Sequence, residues 1–152
     1  MKISDLMISP PVTVAPQASV RVAAFRMDEQ SVGSVLVAED GTLRGVLTDR
    51  DVVVRAVAPG LPTDTTTVAE LMSTHPVTVD VTDSVDTAYR AFRRSGVRRL
   101  PVVDGRRLVG VLTIDDLFLD VFQRFADLLG PVSWSTLQEP PARQQHHPTV
   151  QS

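Results

Sequence analysis

The heptapeptides "GVLTDRD" (Gly45–Asp51) and "GVLTIDD" (Gly110–Asp116) are nearly one sentence written twice, and the distance between them organises the chain. Asp116 lies 65 residues after Asp51, and Met72 lies 65 residues after Met7. The same offset aligns "ISDLMISPPVTV" with "VAELMSTHPVTV" and "ASVRVAAFRM" with "DSVDTAYRAF", without a gap. Identical pairs include Leu6/Leu71, Pro11/Pro76, Ser19/Ser84, Gly45/Gly110 and Thr48/Thr113. Helical or strand periodicity does not require identity at single polar positions. Such self-similarity at a fixed period marks a duplication.

Each copy spells the same elements. A short helix is expected near Ile3 to Met7 and near Val68 to Met72. The "PVTV" that follows is extended, because a proline biases its neighbour away from helix. Ser19 and Ser84 are N-cap residues. Val20, Ala23, Ala24 and Met27, and then Val85, Ala88, Tyr89 and Phe92, fall at i, i+3, i+4, i+7, one apolar helical stripe. "SVLVA" and "RLPVVD" read as strands, Asp40-Gly41 and Asp104-Gly105 as hairpin turns, and "LRGVLT" and "LVGVLT" as returning strands. A second helix starts near Asp49 and near Ile114. The expected boundaries are 1–58 for the first repeat, 59–67 for a linker, and 68–130 for the second repeat. A repeat of roughly 55 residues is marginal alone. Two copies that bury their sheet faces against each other would be related by a pseudo-twofold axis and carry paired clefts.

The last helix is longer than its counterpart. Leu117, Phe118, Val121, Phe122, Phe125, Leu128 and Leu129 form a broad apolar face, and Gly130-Pro131 is expected to stop it. That face either packs on its own repeat or contacts a second copy. Residues 131–152 are polar and rich in Pro and Gln, and are expected to be a disordered tail. Trp134 is the residue there suited to docking. His146-His147, in that polar setting, is expected to be solvated rather than metal-bound.

Composition excludes several classes. Of 152 residues, 43% are apolar and 22% charged, a globular balance. The net charge of −3 does not suit a nucleic-acid binder driven by bulk positive charge. Cysteine is absent, which excludes disulfides and thiolate chemistry. The N-terminal residues lack the apolar core of a signal peptide, and no apolar run is long enough to span a membrane. The expectation is a cytoplasmic protein without membrane or nucleic-acid partners. No phosphate loop, dinucleotide fingerprint, metal-spaced cluster or triad pattern is present, so no enzyme is expected and no prosthetic group or metal.

Two features remain that could carry chemistry. Thr48-x-x-Asp51 and Thr113-x-x-Asp116 each close a strand and open a helix. Thr at N-cap with an acid at N3 is a capping arrangement. The same helix start, if it faces a cleft, could hold a ribose diol with the carboxylate and a phosphate with the amides. Arg98-Arg99 are either solvated strand-edge arginines or a phosphate fork. The first copy has Gly33-Ser34 at those positions.

Helix, "PVTV", amphipathic helix, "LPVVD", turn and "GVLTxxD", twice in order over Ile3 to Arg124, closely resemble a pair of cystathionine β-synthase (CBS) domains, a Bateman module. The resemblance implies an α/β (α+β) fold of two pseudo-twofold β-α-β-β-α repeats packed sheet to sheet, often dimeric. It implies a regulatory sensor of AMP, ADP, ATP or S-adenosylmethionine as effector. One cleft would then use Asp116, Thr113 and Val111 with Pro10, Pro11, Val12, Gly33, Arg98 and Arg99. A weaker cleft would use Asp51, Thr48, Val46 and Ser34 with His75, Pro76 and Val77. The aspartates inherit ribose binding, and the arginines inherit phosphate binding, which favours "GVLTIDD". The expected partners are a second copy and an unknown regulated protein reached in trans. The competing reading is an interaction scaffold with vestigial clefts, acting through the last helix.

Overall fold

The computed structural model describes residues 1–138, with side chains described through residue 130. In the first repeat a single 3-10 turn, Ile3–Asp5, precedes the proline pair, and β1 (Thr13–Val14) follows it. Ser19 then caps α1 (Val20–Gln30), its hydroxyl accepting from the Val22 amide at 3.2 Å. The helix buries Val20, Ala23 and Met27 of the expected stripe, while Ala24 is half-buried. β2 (Ser34–Glu39) and β3 (Thr42–Thr48) are joined by Asp40-Gly41. Both turn residues have positive φ, 50° and 75°. That is the primed turn geometry whose twist matches antiparallel strands, and Asp-Gly suits it. α2 (Asp49–Val52) then runs into a wider π turn at Val53–Val57.

The second repeat follows as α3 (Val68–Leu71), β4 (Val79–Asp80), α4 (Val85–Ser95), β5 (Arg99–Asp104), β6 (Arg107–Thr113) and α5 (Ile114–Gln138). In α3 the Thr67 amide and hydroxyl both donate to Glu70, which holds that carboxyl below its ordinary pKa. Three local expectations change here. Ser84 stands at the N-cap of α4, but its hydroxyl lies 3.3 Å from that of Thr87 and makes no bond to a helix amide. Ala88 and Phe92 are buried, but Tyr89 is exposed. The second hairpin turns at Gly105-Arg106 and not at Asp104-Gly105, because Asp104 is still paired with Arg107. Gly105 takes the positive φ, 62°, that the first turn position requires.

Strand order is β1-β2-β3-β6-β5-β4. β1 is parallel to β2 and β4 to β5, whereas each central hairpin is antiparallel. The two hairpins join edge to edge at the pair Thr42↔Arg107. Beyond that junction they meet through a small core of Leu36, Leu108 and Val111, with Ala38, Leu43 and Val46 packed around it.

The largest departure from the sequence reading lies in the opening helices. Sequence order alone places each in its own repeat. Instead Ile3 is buried in the core of the second repeat, with Leu100, Val102 and Leu112. Val68 and Leu71 are buried in the core of the first, with Val20, Val37 and Leu47. Four bridges fasten this exchange: Lys2↔Ser84 with Ser19↔Thr67, and Ile8↔Val111 with Val46↔Ser73. Within each pair the two bridges are related by the 65-residue offset. Exchange fills two cores that would each be too small alone.

Gly45 and Gly110 are explained by it. A Cβ on Gly45 would stand 2.6 Å from the Ser73 carbonyl oxygen. One on Gly110 would stand 2.9 Å from that of Ile8 and 2.7 Å from the Met7 sulfur. Close backbone approach admits only glycine there.

Met1–Phe118 is one compact unit containing both repeats, and the residues from Leu119 form a second. α5 is continuous through Gly130-Pro131 to Gln138, past the expected stop. Gly130 has no positive φ, so the left-handed cap that ends a helix at glycine is not formed, and proline's own φ is helical. Residues 131–138, placed in the tail from sequence, are therefore helical. Within the second unit Arg124 pairs with Asp120 at 3.0 Å. Val121, Phe122, Phe125, Leu128 and Leu129 are exposed there, whereas Leu117 of the first unit belongs to its core. The Trp134 side chain, His146-His147 and the rest of the tail lie outside the described residues. Among those described, no helix is long and apolar enough to cross a membrane.

Candidate functional site

The Thr48-x-x-Asp51 motif closes a reciprocal capping box, and Thr113-x-x-Asp116 caps its helix through side chains alone. The Asp51 amide donates to the Thr48 hydroxyl oxygen at 3.1 Å, and the Thr48 amide donates to the Asp51 carboxylate at 3.0 Å. At the second motif the Asp116 amide donates to the Thr113 hydroxyl oxygen at 3.0 Å, and that hydroxyl donates to Asp116 Oδ2 at 2.6 Å. The two therefore differ in which group of the threonine donates to the carboxylate, the backbone amide of Thr48 or the hydroxyl of Thr113. The Thr113 hydroxyl proton is used, while that of Thr48 meets no acceptor among the described residues. Thr113→Ala is expected to cost about 1 kcal/mol, and to lower the melting temperature by about 2–4 °C in a chain of this size.

Among the described residues, two cavities draw their linings from both repeats. The larger, about 760 Å³, is lined by Val46, Thr48, Pro76 and Val77, as assigned to the Asp51 cleft. It is also lined by Gly33, Ser34, Arg98, Arg99 and Thr113. The smaller, about 240 Å³, is lined by Pro10, Val12 and Val111, as assigned to the Asp116 cleft, with Ser34 and Arg99. The division into two separate residue sets needs correction. Gly33, Arg98 and Thr113 were placed with Asp116 but line the larger cavity, and Ser34 and Arg99 line both. The physical reason is symmetry. Gly33-Ser34 lead into β2 where Arg98-Arg99 lead into β5, so the four residues are equivalent across the 65-residue offset, and all four line the larger cavity. Arg99 reaches both cavities, whereas Arg98 lines the larger one.

Pro11, Asp51, Asp116 and His75 line neither cavity. The two carboxylates are bonded to their threonines, and His75 is exposed with a positive φ of 56°. Sequence reasoning missed Arg50 and Ser73 in the larger cavity and Ile8 in the smaller. Arg50 had a signal, since it sits inside the Thr-x-x-Asp motif. Ser73 and Ile8 had another, as equivalent positions three residues before the aligned Pro76 and Pro11.

The charges are unevenly placed. Arg98 pairs with Asp115 at 3.3 Å, both exposed. Asp49 covers Gly33, where a Cβ would stand 3.2 Å from its Oδ2. Arg50 is exposed and Arg99 half-buried, and neither is in an ion pair among the described residues. No group of three or more potential metal ligands exists among those residues. The site can thus offer an apolar slot, a hydroxyl and unpaired guanidinium groups to a ligand with a flat apolar part and an anionic end.

The comparisons agree with this architecture. The model of the CBS domain matches residues 3–57 and again 68–121. The chain is 37% identical over 115 residues to the CBS domain-containing protein YhcV of Bacillus subtilis, covering 76% of this chain and 81% of that one. Hypoxic Response Protein I, solved with two coordinated zinc ions, superposes with a TM-score of 0.71 at 32% identity, over 77% of this chain and 96% of that chain. A CBS domain protein of Pyrobaculum aerophilum, solved as a complex with AMP, gives a TM-score of 0.69 at 29% identity, over 81% and 99% of the two chains. Duplicated motifs, crossed opening segments, paired inter-repeat cavities and these matches lead to one conclusion: the chain belongs to the CBS-domain family, as a tandem pair.

Proposed function

We propose that this CBS pair is a regulatory module that binds adenosine nucleotides between its repeats and passes the binding state to a partner protein in trans. Arg99 carries the reading. A half-buried guanidinium that lines both cavities without an ion-pair partner among the described residues is suited to receive phosphate bidentately. Beside it, Val46, Pro76 and Val77 in the larger cavity form an apolar slot for a base. Thr48 supplies a hydroxyl donor for ribose or phosphate oxygen, and Asp51 and Asp116 act as positioning residues that hold the two threonines. The AMP complex of the Pyrobaculum relative supports the ligand class. S-adenosylmethionine, which brings a sulfonium cation and no phosphate, matches Arg99 less well than AMP, ADP or ATP. Binding would shift the relative packing of the two repeats by its differential affinity for two arrangements. The module is read as a homodimer, with exposed Phe125 and Leu128 among its contacts.

A second reading has its own observation. The Asp51 and Asp116 carboxylates are engaged in caps and line no cavity, which suits a scaffold whose clefts bind nothing. Titration calorimetry separates the two. AMP and ATP are expected to bind, at least about tenfold more tightly than S-adenosylmethionine, for the worth of one charge-assisted contact. Absence of heat and of any thermal shift with all three at millimolar concentration would leave the scaffold.

A further inference from the structure

The two cavities are not independent. Ser34 and Arg99 are equivalent residues, 65 positions apart, and each lines both cavities. A residue and its symmetry mate that both touch both sites mark the place where the sites converge. That place is unequally equipped, with a guanidinium from one repeat and a hydroxyl from the other. The neighbouring cation, Arg98, is engaged with Asp115 at 3.3 Å. Its mate Gly33 has no side chain, and the Asp49 carboxylate takes up the space beside it. Among the described residues, Arg99 is therefore the cation that both cavities have in common.

We infer that the two cavities compete for a single phosphate subsite at Arg99, so that the chain holds one nucleotide at a time. This rests on the nucleotide reading above and adds its stoichiometry. Two phosphate groups brought to the same guanidinium would repel each other and leave one of them uncompensated in a partly desolvated site. The larger cavity fills first. Its volume of about 760 Å³ suits a nucleotide, and it has Arg50 as a second cation. The smaller, about 240 Å³, has no cation besides Arg99 in its lining. Once the larger is occupied, the smaller has lost its anion-binding group. The module then responds to nucleotide concentration as a single saturable step.

Calorimetric titration with AMP tests this. Wild type is expected to bind one AMP per chain. Arg99→Gln is expected to weaken that binding at least about tenfold, the loss of one charge-assisted contact. Ser34→Arg, which installs the missing mate of Arg99, is expected to raise the stoichiometry to two. Two independent AMP molecules per wild-type chain, an unchanged affinity in Arg99→Gln, or a folded Ser34→Arg that still binds one at saturation would each overturn the inference while leaving the nucleotide reading standing. If Ser34→Arg does not melt cooperatively, the wild-type crystal structure with AMP decides. Nucleotide in one cavity with its phosphate on Arg99 supports competition, and phosphates held by separate side chains in both cavities overturn it. Failure of wild type to bind either AMP or ATP would remove the nucleotide reading, and competition with it.

Discussion

Ile3→Ala is expected to lower the unfolding free energy by about 3 kcal/mol, within the range for deleting a fully buried aliphatic side chain. That is a large share of the 5–15 kcal/mol typical of a domain, and corresponds to a fall in melting temperature of about 6–12 °C at this chain length. Ile3 is fully buried. Its neighbours are in the second repeat, Leu100, Val102 and Leu112 among them. The damage should therefore appear far along the chain. Amide exchange is expected to accelerate first in β5 and β6, and less in β2 and β3, whose core is completed by Val68 and Leu71 instead. Equal loss of protection in both hairpins, or loss confined to the first, would refute the exchange of opening segments.

Gly45→Ala has the second large effect, a destabilisation of about 2–3 kcal/mol from overpacking. One methyl group is enough because the atom it meets is backbone. The Ser73 carbonyl oxygen would be 2.6 Å away. That oxygen accepts from the Val46 amide at 3.0 Å, while the Ser73 amide donates to the Val46 carbonyl at 2.9 Å. Relieving the clash means stretching this pair of bonds between repeats. Gly110→Ala is expected to cost less, because its nearest contact is the flexible Met7 side chain, and the Ile8 oxygen is farther off at 2.9 Å. Denaturant melts of both variants measure the order. A Gly110→Ala variant less stable than Gly45→Ala would contradict it.

Much of the local structure was legible because its causes are local. A proline before "PVTV", a serine before an apolar stripe, and Asp40-Gly41 between two Val-rich runs each act through a few neighbouring bonds. The capping box at Thr48 was legible for the same reason, since Thr48 and Asp51 need only each other. The misreadings arose where an equally local signal was overruled or slightly misplaced. Asp104-Gly105 carries a turn signal, yet the antiparallel pairing of Asp104 with Arg107 moves the turn one residue on. Gly130-Pro131 carries a stop signal, yet it becomes one only when the glycine goes left-handed, which Gly130 does not.

The candidate site was legible in its parts and not in its grouping. Val46, Thr48, Pro76 and Val77 do come together, as do Pro10, Val12 and Val111. Sequence groups Arg98 and Arg99 with one cleft, because an offset between copies does not tell which cavity a side chain lines, and Arg99 lines both while Arg98 lines the larger.

By itself the sequence determined the duplication, the order of elements and the residue types at each helix start, since an offset of 65 preserves all of these. Only the tertiary structure decided which copy each opening segment serves, and that the two clefts share Ser34 and Arg99. The reason lies in the duplication itself. Two near-identical segments satisfy two near-identical cores equally well in pattern. The choice between self and exchange is made by chain reach and by packing between repeats, where a glycine must let the other repeat's backbone come close.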